Sequence, residues 1–347
     1  MHLEIDISEL QYIMNIVRVF KSKCKTQSTA IYISFEEDCS QIIYASESSF
    51  LKYKCRYISD YKGKYCLSLD FVKNILNVFN DGIIEIDFRD KIIIVHQNDI
   101  TLKGQIYSKG EYHIHKIDES ELEEIPLRLT LSNKLLNLNL EELGIEAKDP
   151  YTNLYNISKD RLIKMSSFCA LLQTLERESQ GEVTLTQDIL SICSVVGDEV
   201  EYYKHHNAFY IKNEDIEIRV PLSNVRFPNL NIIIDKIKTG GQYFLLKATD
   251  MLDICERCYA LSLEKKVNRI DVVFKDGLIM FSYNGILTGS VESGLSLDWK
   301  MSFNPLLMRG ILKYINEDVV TICKNGNNAI LIYNEDRTIV FMLSLCR

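Results

Sequence analysis

Residues 67–76 read LSLDFVKNIL, a short apolar strand that runs into an amphipathic helix, and the segments DGIIEI (81–86) and KIIIV (91–95) follow it. The same order returns twice, as LTQDILSIC (185–193), DEVEY (198–202) and AFYI (208–211), and as SFNPLLMRGIL (302–312), EDVVTI (317–322) and AILIY (329–333). The three copies begin at Leu67, Leu185 and Ser302, which lie 118 and 117 residues apart. A period of that length is a whole domain rather than a solenoid repeat. The sequence therefore predicts three tandem copies of one domain.

The first half of each period carries a matching strand and helix. Residues 3–7 alternate in polarity like a strand, and from Ser8 to Val17 the apolar residues recur every three or four positions, as on a helix. Corresponding segments occupy 127–140 and 243–261. We therefore predict an α+β fold with paired helices against antiparallel sheets. The predicted domains are 1–124, 125–238 and 239–347.

Composition places the chain among cytoplasmic proteins. It has 347 residues with 46% hydrophobic content, no apolar run of the ~20 residues that a membrane span needs, and no signal-peptide pattern at its start. Its 10 cysteines are scattered, which favours reduced cytosolic thiols over a disulfide framework. The net charge of −8 means that the chain as a whole repels nucleic acid. Only a local basic surface could bind DNA.

Four segments, in order along the chain, resemble one family. Residues 224–230 (NVRFPNL) resemble the Arg-Phe-Pro-Asp-Tyr stretch that closes the middle domain of bacterial DNA polymerase III beta sliding clamps. Residues 338–345 (TIVFMLSL) are similar to the C-terminal strand of that family, and 260–265 (ALSLEK) to its Leu-Ser-Asn-Glu-Lys stretch. Residues 160–162 (DRL) stand where the family has Gly-His-Arg-Leu. Order, spacing and the threefold repeat carry the resemblance, since no single motif is specific.

The resemblance implies a DNA sliding clamp, a processivity factor without catalytic activity or cofactor. Two subunits would join head to tail into a six-domain ring around duplex DNA, with helices lining the hole. DNA would be held without sequence preference, because contacts would be to phosphates. DNA polymerase and the clamp loader would be partners through short linear motifs.

Three sets of candidate residues follow from the resemblance. The DNA-binding candidates are a basic cluster after the first helix and two residues of the middle domain: Arg18, Lys21, Lys23, Lys25, Lys148 and Tyr151. The partner-peptide pocket carries over to Ile157, Arg161, Leu162, Pro228, Ile233, Val340 and Met342. The dimer interface is expected at the edge strand of the first domain and at the end of a third-domain helix, with Ile100, Leu102, Ala260 and Leu261.

The chain departs from the family at this pocket. Ile232 stands where an arginine is common, Asp160 where a histidine is common, and residues 343–344 (LS) where the family has Pro-Met. Because Ile232 replaces a cation, we expect the preferred peptide to be less acidic than the usual clamp-binding motif.

Other signals predict no metal site and no catalysis. Cys255 and Cys258 form a Cys-x-x-Cys pattern inside an apolar-periodic helix without a second pair, whereas a zinc site needs about four ligands. His205 and His206 lie at a predicted turn without carboxylates or cysteines at metal spacing. Two alternatives stay open: a clamp-fold adaptor that binds proteins without encircling DNA, and an enzyme built from repeated domains. A buried acid–base pair would favour the enzyme.

Overall fold

A computed structural model of the chain describes residues 2–24, 28–35, 39–46, 48–55, 63–107, 119–126, 151–175, 177–197, 199–262, 269–283, 285–293, 298–326 and 328–346. The chain divides into two compact units. Unit 1 comprises Met1–Ser132 and Ser179–Asn224, and unit 2 comprises Asn133–Glu178 and Val225–Arg347. The predicted domain boundaries 1–124, 125–238 and 239–347 stay a prediction.

Unit 1 contains three helices, one 3₁₀ turn and thirteen strands in its described residues. The helices are α1 (Ile7–Lys23), α2 (Leu69–Val78) and α3 (Gln187–Val196), and the 3₁₀ turn is Glu119–Glu121. The strands are β1 (His2–Asp6), β2 (Ala30–Phe35), β3 (Ser40–Ala45), β4 (Phe50–Cys55), β5 (Gly63–Ser68), β6 (Ile83–Arg89), β7 (Ile92–Gln97), β8 (Ile100–Gln105), β9 (Glu123–Glu124), β13 (Val183–Thr186), β14 (Glu201–His205), β15 (Ala208–Lys212) and β16 (Ile216–Pro221).

Unit 2 contains three helices and eleven strands in its described residues. The helices are α4 (Leu230–Lys238), α5 (Ala248–Ser262) and α6 (Pro305–Ile315). The strands are β10 (Leu154–Ser158), β11 (Arg161–Met165), β12 (Cys169–Thr174), β17 (Gln242–Lys247), β18 (Ile270–Lys275), β19 (Leu278–Tyr283), β20 (Leu287–Glu292), β21 (Trp299–Phe303), β22 (Val319–Lys324), β23 (Ala329–Tyr333) and β24 (Ile339–Ser344).

The sheets of unit 1 are antiparallel. One has the order β1-β6-β7-β8, and the other the order β5-β2-β3-β4-β16-β15-β14-β9, in which Ile218 of β16 lies opposite Leu51 of β4. Strands β1, β2 and β6 and helix α2 share one core, because Leu3, Ile33, Val72 and Ile86 line the same interior space. Burying an aliphatic side chain of this size contributes about 1.5–3 kcal/mol to stability.

The sheets of unit 2 are also antiparallel. The smaller one has the order β20-β19-β18-β21, and the larger one includes β10-β11-β12-β24-β23-β22-β17 in that order. The C-terminal strand β24 is therefore central, between β12 and β23, with Leu172 opposite Val340 and Val340 opposite Tyr333. The α+β class with paired helices and antiparallel sheets is confirmed, since α1 packs on α3 and α5 packs on α6.

The repeated helices begin where the sequence predicts. Helices α2, α3 and α6 start at Leu69, Gln187 and Pro305, each 118 residues after the last. Each is capped by a short polar side chain that accepts a backbone N–H of the first turn: Ser68 from Phe71, Thr186 from Ile189, and Asn304 from Leu306. Such caps satisfy orphan donors and contribute about 1 kcal/mol each. The predicted middle-domain helix 133–140 lies outside the described residues.

One lysine is buried in the large sheet of unit 2. Lys164 is 3% exposed, its Nζ donates a hydrogen bond to the Tyr155 hydroxyl, and it lies 4.2 Å from the centre of the Tyr155 ring. Burial lowers the pKa of Lys164 to about 8 because the charged form loses hydration. The folded protein therefore releases this proton well before the unfolded chain does.

The lowered pKa of Lys164 predicts that the free energy of unfolding depends on pH. Between pH 8 and the ordinary lysine value of 10.5 the unfolded chain binds more protons than the folded one, so the free energy of unfolding rises with pH, by at most ~1.4 kcal/mol per unit. We expect the stability of the wild type relative to Lys164→Met to increase by ~1–2 kcal/mol between pH 7 and pH 9.5 in urea unfolding. Lys275→Met, at an exposed lysine of β18, should show no such increase. An unchanged difference for Lys164→Met would contradict the lowered pKa.

Candidate functional site

One face of the large unit 2 sheet carries helix α4. Strand register places Ile163, Leu172, Val340 and Tyr333 in one row across β11, β12, β24 and β23, with their side chains on the same face. Helix α4 packs on β22 and β23. It does so through buried residues spaced four and three apart, Leu230, Ile234 and Ile237. We call this side of the sheet, with α4 on it, the α4 face.

The α4 face contains a cavity of about 270 Å³ at one flank of the helix. Leu172, Ile234 and Val340 give it an apolar floor, and polar or charged side chains surround that floor. We call this space the α4 cavity. The lining residues are Arg161, Leu172, Thr174, Ile234, Lys238, Tyr243, Tyr333, Arg337 and Val340.

The α4 cavity is positively charged. Three of its lining residues are cations, Arg161, Lys238 and Arg337, and no described lining residue is acidic. Arg161 donates to the side chain of Asn231 at 2.6 Å, and its Nε lies 3.7 Å from a carboxylate oxygen of Asp160. Lys238 and Arg337 form no ion pair within the described ranges. The cavity thus favours a negatively charged occupant.

Two of these cations lie near the ring of Tyr333. Its ring centre is 6.0 Å from Lys238 Nζ and 6.0 Å from the guanidinium carbon of Arg337. The residue is 4% exposed, and its hydroxyl has no hydrogen-bond partner among the residues that the structure describes. Burial raises the pKa of Tyr333, with Cys323 and Tyr243 adding to the rise and the two arginines Arg337 and Arg161 opposing it. The hydroxyl therefore stays protonated and can donate to a ligand.

Some of the predicted pocket residues come together on the α4 face. Arg161 and Val340 line the cavity, and Met342, 8% exposed, belongs to the apolar cluster under α4. Ile233 is 42% exposed and lies on the other flank of α4, roughly 140° around the helix from Lys238. Pro228 is exposed just before the helix cap Asn229.

Ile157 and Leu162 lie on the opposite face of the same sheet. They are register partners in β10 and β11, and both are fully buried. Sequence reasoning missed seven of the nine cavity residues: Leu172, Thr174, Ile234, Lys238, Tyr243, Tyr333 and Arg337. The strand alternation of 329–333 and 339–344 indicates which of those side chains share a face, but no sequence signal indicates that Lys238 lies nearby.

The predicted DNA-binding residues lie in different local environments. Arg18 is exposed on α1 and donates to Asn15 at 2.8 Å. Lys21 is half-buried, and Lys23 pairs with Asp188 of α3 at 3.2 Å. Tyr151 packs edge-on against Phe227, 5.8 Å between ring centres, beside the apolar cluster of the α4 face. The remaining two candidates, Lys25 and Lys148, lie outside the described residues.

Most cations on the long helices are neutralised locally. Lys73 pairs with Asp70 at 3.0 Å, Arg257 with Asp253 at 2.7 Å, and Glu256 holds both Arg309 at 2.8 Å and Lys313 at 2.5 Å. With the Lys23 pair, five of the seven basic residues on α1, α2, α5 and α6 have an acidic partner. Arg18 and Lys21 have none in the described part of the chain. Any phosphate contact by these four helices falls mainly to those two residues.

The predicted interface residues include two on a sheet edge. Ile100, 49% exposed, and Leu102, half-buried, lie on β8, the last strand of its sheet. Strand β20 ends the small sheet of unit 2 in the same way. Ala260 is exposed near the end of α5, and the side chain of Leu261 lies outside the described residues. Both edges have backbone groups that a further strand could pair with.

The histidine pair found in the sequence has a carboxylate neighbour after all. His205 lies 2.9 Å from Glu121, and ligand atoms of Glu121, His205 and His206 come within 4.8 Å of one another. Glu119 pairs with Lys212 at 2.7 Å and Glu123 with Lys204 at 3.4 Å. The three glutamates of segment 119–123 therefore each contact a Lys or His side chain of the β14–β15 hairpin. A side-chain hydrogen bond between His205 and Glu121 accounts for their contact, which joins residues 84 positions apart.

The Cys-x-x-Cys pattern is part of the interior. Cys255 and Cys258 are buried in α5, and burial raises the pKa of Cys258 to about 11 and that of Cys255 well above its ordinary value. Both thiols are therefore protonated near neutral pH, which makes them poor nucleophiles.

Among the described residues, no helix is long and apolar enough to cross a membrane.

The chain is similar to known proteins in its structure. No protein-family model matches the chain, and no curated protein matches it. The sliding clamp of Bacillus subtilis superimposes with a TM-score of 0.71 at 17% identity, covering 100% of this chain and 99% of its own. The beta chain of Streptococcus pneumoniae DNA polymerase III gives 0.70 at 15%, with 100% and 99% covered. The Helicobacter pylori beta clamp bound to a DNA ligase peptide gives 0.70 at 14%, with 100% of both covered. The chain therefore has the fold of the bacterial DNA polymerase III beta subunits, three tandem clamp domains, as the sequence resemblance predicts.

Proposed function

We propose that the protein is a DNA sliding clamp that encircles duplex DNA and tethers DNA polymerase and other replication or repair proteins. The observation that carries this proposal is the end-to-end likeness to beta clamps, 100% of this chain and 99–100% of theirs. A fold can serve several functions, so the site has to support the assignment as well. Here a ligand-sized cavity at the C-terminal strand β24 does so.

A closed ring would keep this acidic chain on DNA without strong phosphate contacts. A protein that grips phosphates directly binds tightly and moves slowly, whereas a closed ring stays attached by topology. With a net charge of −8 and most helix cations paired, this protein offers few strong phosphate contacts. We propose a head-to-tail homodimer in which β8 of one subunit pairs with β20 of the other. The function needs no catalytic step or cofactor and belongs in the cytoplasm.

The α4 face is the proposed docking site for partners, including the clamp loader. A DNA ligase peptide binds the Helicobacter pylori clamp. In this chain the α4 cavity combines an apolar floor with adaptable and polar side chains, which suits a short peptide. Met342 beside the cavity adds a flexible, polarizable surface that accommodates different ligands.

Retention on circular DNA tests the proposal. Protein assembled on a nicked circular plasmid should dissociate much more slowly than protein on the same plasmid after linearisation, because only the circle prevents a ring from sliding off an end. Gel filtration after removal of free protein measures both rates. On short linear duplex, binding should be weak and fall steeply with salt, as expected of screened phosphate contacts.

A clamp-fold adaptor that binds proteins without encircling DNA is the second candidate. The paired cations of α2, α5 and α6 favour it, because these helices then attract phosphates little. Equal dissociation rates from the circular and the linear plasmid would support the adaptor and contradict the clamp. A chain that still captures partner peptides under those conditions would establish the adaptor directly.

A further inference from the structure

The positive charge of the α4 cavity is unusual for this chain. The chain carries 48 acidic and 40 basic residues, yet the described lining of this cavity contains three cations and no acid. Two of these cations, Lys238 and Arg337, have no ion pair in the ranges that the structure describes, and the third, Arg161, has its nearest carboxylate at 3.7 Å. Lys238 and Arg337 therefore add positive charge around one small space without a described acidic partner, and an anion placed there is attracted to both.

The buried hydroxyl of Tyr333 points to the same ligand class. It is a donor without a described partner, on a residue 4% exposed whose ring centre lies 6.0 Å from Lys238 and 6.0 Å from Arg337. Buried polar groups in folded proteins are almost always hydrogen-bonded, so an unsatisfied donor on a residue that lines a cavity favours a ligand that brings an acceptor. A carboxylate oxygen accepts from a tyrosine hydroxyl, an ammonium and a guanidinium alike.

We propose that the α4 cavity binds a carboxylate of an acidic partner peptide, with Lys238, Arg337 and Tyr333 as its ligands. The inference rests on the proposed function of the α4 face as a partner site. The apolar floor of Leu172, Ile234 and Val340 receives the methylene groups that precede the carboxylate. A volume of about 270 Å³ accommodates one acidic side chain or one chain terminus with a few water molecules.

This inference reverses the expectation drawn from Ile232. That residue is 56% exposed and lies on the side of α4 away from the buried residues, about 160° around the helix from Ile234. It therefore does not face the cavity. Lys238, about 1.7 turns after Ile232 on the same helix, and Arg337 from the β23–β24 connection supply the charge that an arginine at position 232 would have provided.

Two small probes that differ in charge test the carboxylate site directly. We expect 3,4-difluorobenzoate to bind about tenfold or more tightly than the neutral 3,4-difluorobenzamide, as measured by ¹⁹F NMR titration. The preference should disappear in Lys238→Gln/Arg337→Gln and shrink in Tyr333→Phe. The control Lys236→Gln/Lys275→Gln removes the same charge at two exposed lysines outside the cavity and should keep it. Equal binding of the two probes, or an unchanged preference in the cavity variant, would overturn the proposal.

Matched peptides identify the source of the carboxylate. A standard bacterial clamp-binding peptide is compared by calorimetry in four forms, with its acidic side chain or the corresponding amide, and with a free or an amidated C-terminus. A loss of about tenfold on neutralising either group, absent in Lys238→Gln/Arg337→Gln, supports the proposal and names the source. If all four forms bind equally and Val340→Ala weakens each, the partner site stands and the carboxylate site is wrong. If difluorobenzoate binds and no peptide does, the partner-site proposal fails instead.

Discussion

Replacing Ile100 and Leu102 together by lysine should convert the proposed dimer into monomers. Both residues lie on β8, whose inner edge pairs with β7 and whose outer edge has no strand beside it in the described structure. Charged residues, and lysine above all, are the usual means by which proteins prevent edge strands from pairing. The variant should sediment at the monomer mass of 40.2 kDa, where the wild type sediments at about twice that value.

A second pair of residues in the same sheet provides the control. Ile92 and Ile94 on β7 match Ile100 and Leu102 in exposure, with Ile92 also 49% exposed. Strand β7 is paired on both edges, with β6 and with β8, so it has no free backbone to offer another subunit. Ile92→Lys/Ile94→Lys should remain dimeric, and thermal unfolding of both variants checks that they are folded. An unchanged mass for the β8 variant would remove β8 from the interface.

The repeated part of the fold is predictable because its signals are local. Each helix α2, α3 and α6 has a polar cap and apolar residues at helical spacing within about twelve positions, and each is followed by a turn and a strand pair. A local pattern of this kind determines an element without knowledge of the rest of the chain. Its recurrence at a fixed interval then predicts the domain repeat.

The candidate site was less predictable, because the strand register decides on which face of the sheet each side chain lies. Arg161 and Leu162 are neighbours in β11, and successive side chains of a strand point to opposite faces. A resemblance carried by both residues cannot decide which of them faces α4. The structure places Arg161 at the α4 cavity, while Leu162 pairs with Ile157 on the other side.

The charge of the cavity depends on contacts between distant segments. Lys238 ends α4 and Arg337 lies in the connection between β23 and β24, about 100 residues apart in sequence. Neither belongs to a motif that resembles the clamp family. The same holds for Glu121, which meets His205 across 84 residues. A single sequence contains no local signal for such encounters, since they arise only when the sheet has formed.

Filling the α4 cavity should abolish partner capture while the protein stays folded and dimeric. Thr174 lines the cavity and is exposed, so a tryptophan at this position can cover the floor of Leu172 and Val340 without entering the core. Excluding one peptide anchor from a desolvated pocket costs ~1–4 kcal/mol of binding, which corresponds to roughly 10- to 1,000-fold in affinity. Calorimetry of Thr174→Trp with a standard clamp-binding peptide should therefore show no measurable binding.

An exposed threonine elsewhere in unit 2 supplies the matched control for that substitution. Thr249→Trp, at the start of α5, adds the same bulk away from the cavity and should bind the peptide like the wild type. A graded loss should appear in Val340→Ala, which removes apolar contact from the floor and leaves the cations in place. Because Pro228 and Ile233 lie outside the cavity, full peptide affinity in Thr174→Trp would move the docking site to their flank of α4. Loss of binding in Thr174→Trp, with binding kept in Thr249→Trp, would assign the docking site to the flank of α4 that carries Lys238.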